Sequence, residues 1–131
     1  MHVGEQIQNI LRHYKNKDYN KALSICENII KINDKIPEVF NLYGLVLQAL
    51  NNHKQAINYF NKSIFINSRD HSSYNNLANS YKSLHLKDLA IENFEKCLKI
   101  YPDYLPALIN FAALKKELNE HESAIHLFNE A

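Results

Sequence analysis

The sequence predicts an all-α solenoid of about four antiparallel helix-turn-helix repeats, and three observations carry that expectation. A shift of 34 residues lays Ala22, Ala56, Ala90 and Ala124 on one another, with Phe60, Phe94 and Phe128 aligned four positions later. Self-similarity at a fixed period of this length marks a stacked repeat array. Within each period the apolar residues recur at three- and four-residue spacing in two runs, such as Phe40, Tyr43, Leu47 and then Ile57, Phe60, Ile64. That spacing gives each repeat two amphipathic helices. Only Gly4 and Gly44 are glycine in 131 residues, too few for a fold of many tight turns or for a phosphate-cradling loop.

The repeats fall at about 3–36, 37–70, 71–104 and 105–131, the last one truncated, within a single domain. Polar clusters predict turns inside the hairpins at Asn16 to Asp18, Asn51 to His53, His85 to Asp88 and Asn119 to Glu122. Asn33 to Lys35, Asn67 to Asp70 and Tyr101 to Asp103 predict the turns between hairpins. Pro37, Pro102 and Pro106 sit at or near these outer boundaries, where the first turn of a helix has no internal partner for its N–H groups. Gly44, Ala78 and Ala112 mark where the first helix of a hairpin crosses its partner, and small residues there let the backbones approach closely. Cys26 stands in the first copy where the later ones have phenylalanine, and Ile10 stands at its small-residue position.

These residues resemble the tetratricopeptide repeat family. Its 34-residue pattern asks for a large aromatic, a leucine-like residue followed by a small one, a second aromatic, then alanine, phenylalanine and a closing proline. The third copy supplies Tyr74, Leu77, Ala78, Tyr81, Ala90, Phe94 and Pro102. The second supplies Phe40, Tyr43, Gly44, Leu47, Ala56 and Phe60, with Ser68 in place of the proline. The fourth gives Leu108, Phe111, Ala112, Ala124 and Phe128, with Lys115 in place of the second aromatic. The resemblance implies a right-handed superhelix whose first helices line a concave groove, and a role as a scaffold for protein–protein interaction.

Subtracting the core positions leaves the groove face. It includes Ile7 and Leu11 from the first repeat, then Glu38, Asn41, Leu42, Leu45 and Gln48 from the second. Asn75, Asn76, Asn79 and Lys82 follow from the third, and Asn110, Lys116 and Glu117 from the fourth. Asparagine suits an extended peptide because its amide both donates and accepts, whatever side chains the peptide carries. The expected peptide-binding set is therefore Asn41, Leu45, Gln48, Asn75, Asn76, Asn79, Lys82, Asn110 and Lys116. Asn76 and Asn110 resemble the asparagine ladder of O-GlcNAc-transferase-type repeat domains, although Leu42 interrupts the ladder. Asn79 and Asn110 match the asparagines of chaperone-tail receptors in the family, but Asn75 replaces their first lysine, which disfavours that partner.

Composition narrows the class further. Lys and Arg total 15 against 14 Asp and Glu, so the chain lacks the basic field that phosphate neutralisation requires, and nucleic acid is not the expected partner. No apolar run approaches membrane-spanning length, and a soluble cytoplasmic protein that does not engage membranes is expected. Cys26 and Cys97 form no Cys-x-x-Cys and occupy core positions of the repeat, so they read as small hydrophobes. The seven histidines include no pair at helical metal-site spacing. The expectation is a non-enzyme without cofactor or metal. The alternative is a substrate-recruiting arm of a larger modular enzyme of glycosyltransferase or sulfotransferase type, and an uncapped last repeat suggests self-association through the C-terminal end.

Overall fold

A computed structural model describes residues 2–130; the side chains of Ser123, Ala124 and residues 126–130 lie outside the described set, and with them the expected helix crossing at Ala124 and Phe128. Every regular element among the described residues is a helix: α1 (Val3–Lys15), α2 (Tyr19–Ile32), α3 (Pro37–Ala49), α4 (His53–Ile66), α5 (His71–Ser83), α6 (Lys87–Ile100) and α7 (Leu105–Glu130). The pairs α1/α2, α3/α4 and α5/α6 form hairpins, and each hairpin packs on the next through α2/α3, α4/α5 and α6/α7. The first helices also touch one another, α1 with α3, α3 with α5, and α5 with α7, and so form one layer.

The three hairpin turns are built alike, at the period of the sequence. Lys17, Asn51 and His85 take φ values of 62°, 65° and 63°. In each, the next residue's N–H reaches back five residues: Asp18 to the His13 carbonyl at 2.8 Å, Asn52 to Leu47 at 2.8 Å, and Leu86 to Tyr81 at 2.9 Å. This left-handed stop satisfies the last carbonyls of the first helix and turns the chain. Pro37 occupies the first turn of α3, and Asp70 caps α5 by accepting the Ser73 N–H at 3.2 Å.

Inside the hairpins, volume is matched across the crossing. A β-carbon on Gly44 would lie 2.5 Å from Phe60 Cε1, so the fully buried Phe60 ring occupies space against α3 that any larger residue would force it to leave. In the first hairpin the sizes are exchanged: Ile10 and Cys26, both fully buried, occupy the positions of Gly44 and Phe60. The divergence of the first repeat is thus a compensated swap of large for small. Phe94 fills the third hairpin and stacks on Phe111 of α7 at 5.5 Å, which ties α7 to the stack.

The turn expected at Asn119 to Glu122 is not formed. α7 runs unbroken for 26 residues, and Asn119 stays helical where Lys17, Asn51 and His85 are left-handed. A left-handed residue costs about 1–2 kcal/mol, and the run Ala112-Ala-Leu-Lys-Lys-Glu-Leu consists of strong helix formers that favour continuing the helix. Ala112 is consequently exposed, although its equivalents Gly44 and Ala78 are buried. Lys115, which stands in for the second aromatic, lays its ammonium 4.2 Å over the Phe111 ring.

Gly44→Ala should lower stability by roughly 1–3 kcal/mol, because displacing the Phe60 ring outweighs alanine's better helix propensity. Thermal or urea unfolding followed by circular dichroism checks this; a variant as stable as the parent would mean that the ring has room to move.

Candidate functional site

The layer of first helices forms a polar face whose amides are largely engaged with one another. The Asn76 side chain donates to Asn41 Oδ1 at 2.9 Å, which joins α5 to α3. Gln48 Nε2 donates to the Asn76 carbonyl at 3.0 Å and to Ser80 Oγ at 2.9 Å, a second tie between the same helices. Asn41 reaches Ser72 Oγ at 3.4 Å, and Asn110 reaches Asn75 Oδ1 at 3.4 Å, joining α7 to α5. Asn75 and Asn76 are only 4% and 8% exposed. The sequence places these asparagines on the groove face, and the structure adds that they also hold neighbouring repeats in register.

Of the other expected residues, Leu45 is half-buried among the first helices, and Lys116 is exposed on α7. Asn79, Lys82 and Asn110 come together with His85, Lys87 and Glu117 around a cleft of about 440 Å³ between α5 and α7. Lys82 faces Glu117 at 3.8 Å, with the glutamate side chain more than half exposed. A solvated pair of this kind contributes little on its own, so a ligand carboxylate can replace Glu117 at small cost. At the other end, Ile7, Leu11 and Leu42 collect with Glu38, Asn41, Asp70 and Ser72 in a smaller pocket of about 240 Å³ between α1 and α3 that reaches the start of α5. Three aliphatic and four polar residues line this pocket, so this end of the groove is mixed in character where the sequence suggested an apolar one.

Sequence reasoning missed a third polar group beside this pocket. The hydroxyls of Ser63 and Ser73, both fully buried, lie 2.9 and 2.6 Å from Asp70 Oδ2, and Ser63 Oγ lies 2.8 Å from the Pro37 carbonyl. This knot pins the end of α4 to the starts of α3 and α5. The Asp70-x-x-Ser73 spacing of a helix cap was the available signal.

The remaining reactive groups are sequestered. Burial pushes the Cys26 thiol up to about 12 and the Cys97 thiol up to about 11. Among the described residues no three His, Cys, Asp or Glu side chains come together as a metal site, and no helix is long and apolar enough to cross a membrane.

Comparison with known proteins follows the same lines. Sequence profiles of the tetratricopeptide repeat match residues 37–70 and 71–104, which together are more than half of the chain, and the protein belongs to that family. A UDP-N-acetylglucosamine–peptide N-acetylglucosaminyltransferase of Giardia intestinalis is 30% identical over 105 residues; the match covers 78% of this chain, which spans only 7% of that enzyme's length. The Arabidopsis OM64 tetratricopeptide domain superposes with a TM-score of 0.82 at 21% identity, covering 87% of this chain and 94% of that one. The first such domain of Spaghetti (RPAP3), bound to the HSP90 peptide SRMEEVD, superposes with a TM-score of 0.81 at 14% identity, covering 87% and 90%.

Two outcomes are expected from these contacts. Asn76→Ala should cost about 1–2 kcal/mol in unfolding free energy by leaving Asn41 without its donor, checked by chemical denaturation. Both thiols should resist alkylation at pH 8 in the native protein and react once it is unfolded, because their raised pKa values leave them protonated there; mass spectrometry reads the adducts.

Proposed function

We propose that the concave face binds an extended segment of a partner protein, so that the chain serves as an interaction scaffold. The observation that carries this reading is the cleft between α5 and α7, where Asn79, Lys82 and Asn110 converge on open space. Amides spent on neighbouring helices hold the repeats at fixed spacing; of the two at the cleft, Asn110 donates to Asn75 and keeps its carbonyl oxygen for a peptide N–H, and Asn79 can offer both groups to a peptide backbone. A groove built before the ligand arrives spares the cost of ordering itself, which favours capture of a flexible segment.

The reading assigns the chain no chemistry of its own: its two thiols are buried and held protonated, and its cleft gathers amides and ammonium groups around His85 and the exposed Glu117. Free, buried cysteines suit a reducing compartment, which supports a cytoplasmic location. The match to the Giardia enzyme covers too small a share of that protein to transfer its activity, and the likeness to a tetratricopeptide domain bound to an HSP90 peptide supports the scaffold reading.

The triple variant Asn79→Ala, Lys82→Ala, Asn110→Ala should lose at least tenfold in affinity for peptides selected by the parent from a displayed random library, while its far-ultraviolet circular dichroism is unchanged. Equal affinity in parent and variant would move the binding face elsewhere, and failure of the parent to select any peptide would count against the scaffold reading itself.

A further inference from the structure

The two hollows of the groove differ in charge. The pocket between α1 and α3 has an aliphatic floor of Ile7, Leu11 and Leu42, and its charged lining residues are Glu38 and Asp70, with no lysine or arginine. The cleft between α5 and α7 is lined by Lys82 and Lys87 together with His85 and the amides of Asn79 and Asn110, and Glu117 is its single acid. Asp70 is fixed in place by the hydroxyls of Ser63 and Ser73, and its carboxylate adds its charge to that of the exposed Glu38.

Helix packing sets the distance between the hollows. Neighbouring first helices pack about 8–10 Å apart, and because the pocket reaches the start of α5 the hollows are about one and a half such steps from one another, roughly 12–15 Å across the groove. Along the helices the pocket lies at the starts of α3 and α5 and the cleft at the end of α5, about eight residues or roughly 12 Å further on, so the line between them runs obliquely and measures about 17–19 Å. An extended chain rises about 3.3 Å per residue, so about six residues bridge the two.

Resting on the scaffold reading, we propose that the groove selects a bipolar extended peptide: an aliphatic residue beside a basic one at the α1/α3 pocket, and an acidic residue about six positions away at the α5/α7 cleft. The aliphatic side chain fills the floor formed by Ile7, Leu11 and Leu42 while the neighbouring cation faces Glu38 and Asp70. At the far end the carboxylate takes the place of Glu117 at Lys82, and Asn79 and Asn110 meet the backbone on either side. Opposite charges at the two ends fix the orientation of the peptide as well as its register, since reversing it would place like charges together.

The test measures fluorescence anisotropy on the 131-residue chain with a labelled synthetic peptide that carries Lys-Leu at one end and Asp-Glu at the other, joined by an uncharged stretch. The parent should bind it and lose affinity as salt is raised. Glu38→Lys and Lys82→Glu should each weaken binding by roughly fivefold, the scale of a partly exposed charge contact. Charge exchange then separates recognition from damage: the Lys82→Glu protein should recover affinity for a peptide whose acidic end is made basic, and Glu38→Lys for one whose basic end is made acidic. Shortening the joining stretch to about two residues should abolish the gain from the second charged end. Binding that ignores the charges and the spacing overturns the bipolar ligand and leaves the scaffold reading intact. If neither this peptide nor any from the random library binds, the scaffold reading fails as well.

Discussion

At residue 44 the backbone of α3 comes so near the Phe60 ring that a single added carbon would lie 2.5 Å from it. That closeness is the constraint on which the rest of the structure depends. Glycine facing a buried phenylalanine sets how closely α3 and α4 approach, and 34 residues later the fully buried Ala78 and Phe94 stand at the equivalent positions. A repeat that returns each first helix to the same place relative to its partner lays those helices side by side. The groove follows from that stacking. The first hairpin divides the volume the opposite way, with a fully buried isoleucine at position 10 and a fully buried cysteine at 26. What the fold requires is the summed volume at the crossing, and it tolerates either division of it.

A solenoid held only by apolar packing would be free to slide and flex between repeats, because each hairpin touches only its neighbours. Here the first helices are stitched by directional contacts instead. Gln48 reaches both the Asn76 carbonyl and Ser80, Asn76 reaches Asn41, and the Asp70 knot binds three helix ends. These bonds are satisfied only at one offset between α3 and α5, so they convert a slippery face into a registered one. Burial of Asn75 and Asn76 raises the stakes, since an amide left unpaired at that depth costs more than a lost bond at the surface.

The helical hairpins, their turn positions and their crossings were legible in the sequence because each depends on local pattern: apolar spacing, a small residue at 44 or 78, a polar cluster at 51 or 85. The groove residues were legible as a face, since helical phase says which side a residue lies on. Their division of labour was not. Whether Asn76 points at a ligand or at Asn41 is decided by the spacing between helices, to within about an ångström, and periodicity carries no information at that scale. The unbroken α7 escaped for a related reason. Asn119 has the same polar surroundings as Asn51, but a left-handed stop forms only when the packing it permits exceeds the helix propensity it interrupts, and that balance is tertiary.

The stitching and the proposed recognition bear on each other through preorganisation. A ligand that spans two hollows gains from both only if their separation is fixed beforehand; otherwise each contact is bought by ordering the repeats between them. The segment that sets this separation is α3 to α5, where the side-chain bonds between first helices are most numerous among the described residues. Asparagine and glutamine at 41, 48 and 76 hold α3 and α5 at one offset, and on the proposed reading that keeps the α1/α3 pocket and the α5/α7 cleft at a constant distance. Apolar residues at those positions would pack as densely and stabilise the stack as well, but they would accept several offsets, and a groove with several offsets has no single spacing to match.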